Sequence, residues 1–358
     1  MRALPRSVVI VLAVVLVGLI ALTLYSSFST PPSSGPWQQT YSYPLQTGGV
    51  AGVVGQSCVE SAGYVYCIGG QDANSVPTSA VYYAPASTVG VGNWTLSANP
   101  YPQPIVFVSC SSASGYVYCV GGTHDSNGDD TADSYFATLS PSGVGAWSPT
   151  TPYPIAIDAP SCVSTVGNLY CVGGENETSG TNSTTATSGS VWYAPISSSG
   201  LGGWSKSAVY PAGLYFPSCS SLGSYVYCVG GENAQESPQN STYYSYVTSS
   251  GMGAWASAPA YPIQAIAQSC VTSDSSLFCV GGLQSGGTST GSVYFAGISS
   301  SGLGAWQSAS SYPAGVATDC VADAGFLYCV GGYNSNSGVT GDSYYALLNA
   351  TASSSASA

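Results

Sequence analysis

The residues of this chain that could carry chemistry are few and unevenly placed. His124 is the only histidine, and it opens the stretch HDSNGDD, residues 124–130. Asp125, Asn127 and Asp129 alternate there as hard oxygen ligands do in calcium loops. Asp130 stands where such a loop needs its turn glycine, and no glutamate follows at the twelfth position. The stretch therefore reads first as a polar loop, with calcium at Asp125, Asn127 and Asp129 as the one metal site to test. Other acidic residues, Asp72, Asp130, Asp133, Glu175, Glu177, Glu232 and Glu236, also lie within a short distance after a Gly-Gly pair. Loops are polar in general, but carboxylates on one face could also serve glycoside cleavage. A Ser-His-Asp arrangement would depend wholly on His124, so nucleophilic catalysis is poorly supplied.

Twelve cysteines are the other chemical resource. They fall in six pairs, each nine residues apart: Cys58 with Cys67, Cys110 with Cys119, Cys162 with Cys171, Cys219 with Cys228, Cys270 with Cys279 and Cys320 with Cys329. Zinc sites usually want closely spaced ligands such as C-x2–4-C, which this spacing does not offer. An even count at fixed spacing reads as disulfides made in an oxidising compartment.

The start of the chain agrees with that address. Residues 8–24 form an uncharged apolar run behind Arg2 and Arg6. That length exceeds the roughly 7–15 residues of a secretory h-region and is close to a membrane span. Residues 1–30 read as a retained signal-anchor, with cleavage as the alternative. Either way the rest of the chain lies outside the cytoplasm, membrane-tethered or secreted. Five sequons, at Asn93, Asn176, Asn182, Asn240 and Asn349, suit an exported glycoprotein. Only 5% of residues are charged, net charge is −12, and Lys206 is the only cation beyond Arg6. Nucleic-acid binding needs a basic footprint, so it is excluded.

The elements that position these residues come from a repeat. First cysteines of successive pairs are 52, 52, 57, 51 and 50 residues apart. The second cysteine precedes Gly-Gly, as in YVYCIGG, 64–70. Then come an aromatic pair, a Gly-x-Trp such as GNW at 92–94, and a Tyr-Pro. Short runs with β-type alternation, punctuated by Gly, Ser and Pro, predict four strands per unit. Strand a holds the first cysteine, b the second, c the aromatic pair and d the tryptophan. Gly-Gly closing an apolar strand, then aromatics, then Trp, at a period near fifty residues, resembles the kelch repeat. The resemblance spans residues 37–348 and implies an all-β, six-bladed β-propeller. Galactose-oxidase-type copper chemistry on such a scaffold would require histidines this chain lacks. Ligands of such propellers usually gather on the face bearing the b–c and d–a loops.

The chain ends fix the blade count. PWQQTYSYP, 36–44, has a strand d with no a, b or c before it, while DSYYALL, 342–348, is a strand c with no tryptophan after it. Strand 37–43 is thus expected beside 342–348, closing the ring; insertion into a neighbouring molecule, as in a surface filament or layer, is the alternative. Residues 31–36 are then a linker and 349–358 a Ser/Ala-rich tail. Pairing a with b through a two-residue turn places each cysteine pair directly opposite, at a non-hydrogen-bonded position where side chains are closest. The residue before each first cysteine is Ser57, Ser109, Ser161, Ser218 or Ser269, with Asp319 the exception; these suit a crowded central channel. The functional expectation is a non-catalytic, membrane-anchored extracellular module that binds protein or glycan partners and needs no cofactor, calcium aside. A carboxylate-dependent carbohydrate-active enzyme is the rival. Sparse cations and a bridge per blade also suit an acidic or hot setting.

Overall fold

The computed structural model describes residues 35–44, 46–47, 50–124, 129–176, 189–211, 215–300 and 302–348. Residues 1–30 and 349–358, with the expected membrane segment and tail, lie outside them. No helix among the described residues is long and apolar enough to cross a membrane. The described chain is an all-β propeller of six blades.

In blade 1, strand a is Ser57–Ser61, strand b Tyr64–Ile68 and strand c Val81–Ser87. Residues Ala62 and Gly63 turn a into b with φ of 50° and 77°, the pair of positive angles that a type I′ turn requires. That turn sets the register Cys58↔Cys67. The later blades repeat it as Cys110↔Cys119, Cys162↔Cys171, Cys219↔Cys228, Cys270↔Cys279 and Cys320↔Cys329. Each of the six pairs is a disulfide, with Cα atoms 4.0–4.1 Å apart.

The expected fourth strand is broken in two. Gly90–Val91 pairs with the end of c, and Thr95–Leu96 pairs further back on the same strand. Between them Gly-Asn-Trp leaves the ladder, so the tryptophan is free to reach sideways. The long interval from the aromatic pair to the tryptophan is this detour.

What the tryptophan reaches is the preceding blade. Indole N–H groups of Trp94, Trp147, Trp204, Trp255 and Trp306 donate to carbonyls of Tyr41, Asn99, Thr151, Ala208 and Pro259, at 2.9–3.3 Å. Trp37 does the same to Ser310, at 2.9 Å. Each ring also meets the tyrosine of the preceding Tyr-Pro edge-on, as Trp147 meets Tyr101 at 4.9 Å. Trp37 therefore behaves as the tryptophan of blade 6. Gln38 and Gln39 pair with Tyr345 and Tyr344 of that blade's strand c. The ring closes within one chain.

A second peg lies on the opposite side. Tyr66, Tyr118 and Tyr328 donate their hydroxyls to Ser140, Ser197 and Ser87 carbonyls in the c–d turn of the next blade, at 2.8–2.9 Å, and Tyr170 does so to Thr248. Blade 5 has Phe278 at this position. Its neighbour, blade 6, takes its fourth strand from the N-terminal end, so among the described residues no c–d turn follows its strand c to accept a hydrogen bond. The missing hydroxyl marks the closure. Apolar residues fill the seams: each of six clusters joins two neighbouring blades, as Val65 and Cys67 of blade 1 join Tyr328 and Val330 of blade 6. Burial of that kind, at about 25 cal/mol per Å2 of apolar surface, is the main force holding blades together.

Candidate functional site

The innermost strands a enclose a channel with a built neck. The hydroxyl of Ser57 accepts the N–H of Cys110 in the next blade, at 3.0 Å. Ser109, Ser161, Ser218 and Ser269 repeat this toward Cys162, Cys219, Cys270 and Cys320, at 2.8–2.9 Å. Asp319 completes the circle, its Oδ2 accepting from Cys58 at 2.5 Å. Five serines and one aspartate thus satisfy six backbone donors around the axis. Asp319 is the only carboxylate in this ring; its Oδ1 accepts from the Ser269 hydroxyl at 3.5 Å, and the residue lines the cavities on both sides of the neck. Removal from bulk water pushes its carboxyl up to about 7, against the lowering effect of the Cys58 and Cys320 N–H groups and Ser269.

Below the neck is a chamber of about 330 Å3, lined by strand a cysteines and serines and by Glu60. Burial raises the Glu60 carboxyl, the Gly63 N–H opposes that, and Asp323 adds to it. Its Oε1 accepts from Gly63 and so braces its own hairpin turn.

The two halves of each disulfide occupy different surroundings. Cys58, Cys110, Cys162, Cys219, Cys270 and Cys320 reach the chamber wall. Their partners on strand b, Cys67, Cys119, Cys171, Cys228, Cys279 and Cys329, are fully buried in the seams between blades and line neither the chamber nor the funnel above it. The strand b cysteines therefore do not belong among the residues a ligand could touch. A sulfur half-way along an inner strand, covered by strand c and the neighbouring blade, is core and clasp at once.

Above the neck the channel opens into a funnel of about 410 Å3. Its wall is made by the segments that lead into each strand a, together with Gln71 and Leu283 from b–c loops and Tyr333 from the extended strand b of blade 6, Phe326–Asn334. The residue three before each first cysteine decides its shape. Repeat by repeat it is Gly55, Phe107, Ala159, Phe216, Ala267 and Ala317. Phe107 and Phe216 have φ of 57° and 50°, a left-handed conformation that Gly55, Ala159 and Ala267 share at the same repeat position, so the rings and not the turn set these two repeats apart. Their rings reach over Ala159 and meet edge-to-face, 5.2 Å between centroids. Gly55 makes room for this: a Cβ there would stand 2.9 Å from the Phe107 ring.

Three polar side chains of the funnel turn their donors to the wall behind them. Amide groups of Gln56 and Gln268 donate to Val330 and Val229 carbonyls, at 2.8 and 2.7 Å, and Thr318 donates to Val330 at 3.2 Å. Gln268 is 3% exposed and its Oε1 has no partner. Asp319 is the one carboxylate among the residues that line this cavity.

The acidic residues expected on this face separate into different roles. Asp72 is buried, and its Oδ1 accepts from Asn74 and Val76, folding its own loop. Asp130 accepts from the Thr123 hydroxyl, and His124 N–H donates to Asp129 O. Glu236 is exposed; Glu232 is half-buried and raised by burial, then by Glu236. Glu175 is buried across a backbone bridge from Asp158, an acid that sequence reasoning passed over. Tyr215 donates to Asp158 at 3.2 Å, and burial, then Asp158 and Glu175, raise its hydroxyl far above the usual range. Asp125, Asn127, Glu177, Asn182 and Asn349 lie outside the described residues, so the calcium site is represented by Asp129 alone. Among the sequons, Asn93 is exposed, whereas Asn176 donates its amide to Ala156 O and Asn240 is half-buried. Lys206 sits on an outer strand over the Trp192 ring, 5.1 Å from its centroid, away from the funnel.

The missed residues, Phe107, Phe216 and Gln268, had a signal. The loops after Gly-Gly draw the eye because the repeats stop agreeing there. The repeats also disagree just before each first cysteine, where Gly, Phe and Ala alternate.

Comparison with known proteins adds the fold and no more. No family model matches the chain, and no curated protein is similar to it. Solved structures match in number, 701 chains, as a widely reused scaffold should. One, described as "Structure of YjhT", superposes with a TM-score of 0.67 at 15% identity, over 84% of this chain and 96% of that one. Identity that low supports a shared propeller architecture and transfers no residue roles.

Proposed function

We propose that this chain is an exported, kelch-like β-propeller that works as a non-catalytic binding module. Residues 1–30 hold it at the outer face of a membrane, and the channel mouth faces its protein or glycan partner. One observation carries the reading. The funnel above the neck is apolar-walled, of ligand size, and shaped by two phenylalanines, at a position that is Gly or Ala in the other repeats, whose rings meet edge-to-face. The six disulfides, two sets of inter-blade pegs and the neck ring supply a rigid frame for it. Residues 31–358 should be screened on glycans and cell-surface proteins, with and without calcium, beside Phe107→Ala and Phe216→Ala. Binding that both variants weaken supports the mouth as the site.

A second reading draws on Asp158, Glu175 and Tyr215. Two buried carboxylates beside a half-buried tyrosine, on the same face, would suit carboxylate-dependent glycan cleavage. Turnover of a bound glycan that disappears in Asp158→Asn and Glu175→Gln favours the enzyme and overturns the binding module.

A further inference from the structure

We propose that the funnel binds a small organic ammonium ion, its alkyl groups against Phe107 and Phe216 and its charge toward the Asp319 carboxylate. The inference rests on the mouth being the binding face, and it names the ligand class. Three features of the cavity converge on a cation. First, the Asp319 carboxylate lines the foot of the funnel, while Gln56, Gln268 and Thr318 turn their donors to backbone carbonyls behind the wall. Second, no lysine or arginine lines the funnel, so an anion such as an acidic sugar would meet no counter-charge there. Acidic side chains on the surrounding face give a potential that draws cations in and turns anions away. Third, the wall offers aromatic rings, whose faces attract ammonium groups by about 0.5–2 kcal/mol once water is excluded. A hydrated inorganic ion would gain little from such a wall.

The repeat supplies its own control variants. Asp319→Ser gives the neck a sixth serine, so it keeps the acceptor for Cys58 N–H and removes only the charge. Phe216→Ala installs what Ala159 and Ala267 already are. Calorimetric titrations of residues 31–358 at pH 8 would use choline and its neutral carbon isostere, dimethylbutanol. Choline is expected to bind at least about tenfold more tightly than the isostere. Asp319→Ser should abolish that preference, and Phe216→Ala should weaken both probes. Thermal melts of each variant confirm the fold, and Asp319→Asn, isosteric and uncharged, repeats the charge test should the serine variant fail to fold. Equal affinity for the two probes, reduced in Phe216→Ala, overturns the ammonium inference and leaves the mouth as a binding site. Absence of choline binding, or a preference that survives both Asp319 variants, overturns the inference too. The mouth reading fails separately, when a partner found in the screen ignores both phenylalanine variants.

Discussion

Replacing Asp319 by serine should stabilise this protein at neutral pH. The neck places one carboxylate among five serines in a ring that needs only an acceptor from each member. No cation answers its charge: its neighbours are the Cys58 and Cys320 N–H groups and Ser269, and the other carboxylate on strand a in the chamber below is Glu60. Its carboxyl is raised from the ordinary 3.8 to about 7 in the folded protein. Because the folded pKa lies above the unfolded one, the stability linked to this group is fully present below about pH 4. It is lost as pH rises through about 7. A shift of that size would correspond to about 4 kcal/mol, and contact with channel water reduces it to about 1–2 kcal/mol. Asp319→Ser removes the penalty and keeps the hydrogen bond. Guanidinium melts with disulfides intact should show the variant more stable than the parent by about 1–2 kcal/mol at pH 8, with the gap narrowing by pH 4. Asp319→Ala leaves Cys58 N–H without its acceptor and should fall below the serine variant by about 1–3 kcal/mol at either pH. A serine variant less stable than the parent at pH 8, or an unchanged pH slope, refutes the reasoning.

The remaining expectations follow from the same geometry. Tyr66→Phe removes an inter-blade hydrogen bond and should cost about 1 kcal/mol, whereas Phe278→Tyr adds a buried hydroxyl with no c–d turn to receive it and should cost about 1–3 kcal/mol; denaturant melts read both. Replacing Cys58 and Cys67 together by alanine opens one short loop and should cost about 2–3 kcal/mol, measured the same way under oxidising conditions. Glu60 and Glu232, like Asp319, have carboxyls raised by burial. Each favours folding most when protonated, so the β circular-dichroism spectrum at pH 3 and 25 °C should match that at pH 7, and unfolding at pH 3 would count against this.

The scaffold was legible in the sequence because its determinants are local and repeated. A two-residue turn sets the cysteine register, Gly-Gly marks where strand b leaves the core, and an orphan strand at each end shows how the ring closes. Spacing alone did not show that the two cysteines of a pair differ, one at the chamber wall and one sealed in a blade seam, because that depends on which neighbour covers each strand. The split fourth strand was not legible, since Gly-x-Trp reads equally as strand or as detour until the indole finds its carbonyl one blade away. The funnel was harder still. Phe107 and Phe216 are loop residues by pattern, and their meeting over Ala159 depends on blades about a hundred residues apart. Asp319 stood out by composition alone, but its role as an acceptor closing a six-membered ring required the neighbouring blade's N–H. Acidic loop residues drew attention through charge, and several turned out to fold their own loops, as Asp72 does.

The central claim is that partners bind at the mouth, against Phe107 and Phe216. Its most direct test compares residues 31–358 with the Phe107→Ala/Phe216→Ala double variant on one panel of glycans and cell-surface proteins, after melts confirm that both are folded. The predicted result is at least one partner whose affinity falls about tenfold or more in the variant, without turnover. A partner bound equally well by both proteins would contradict it.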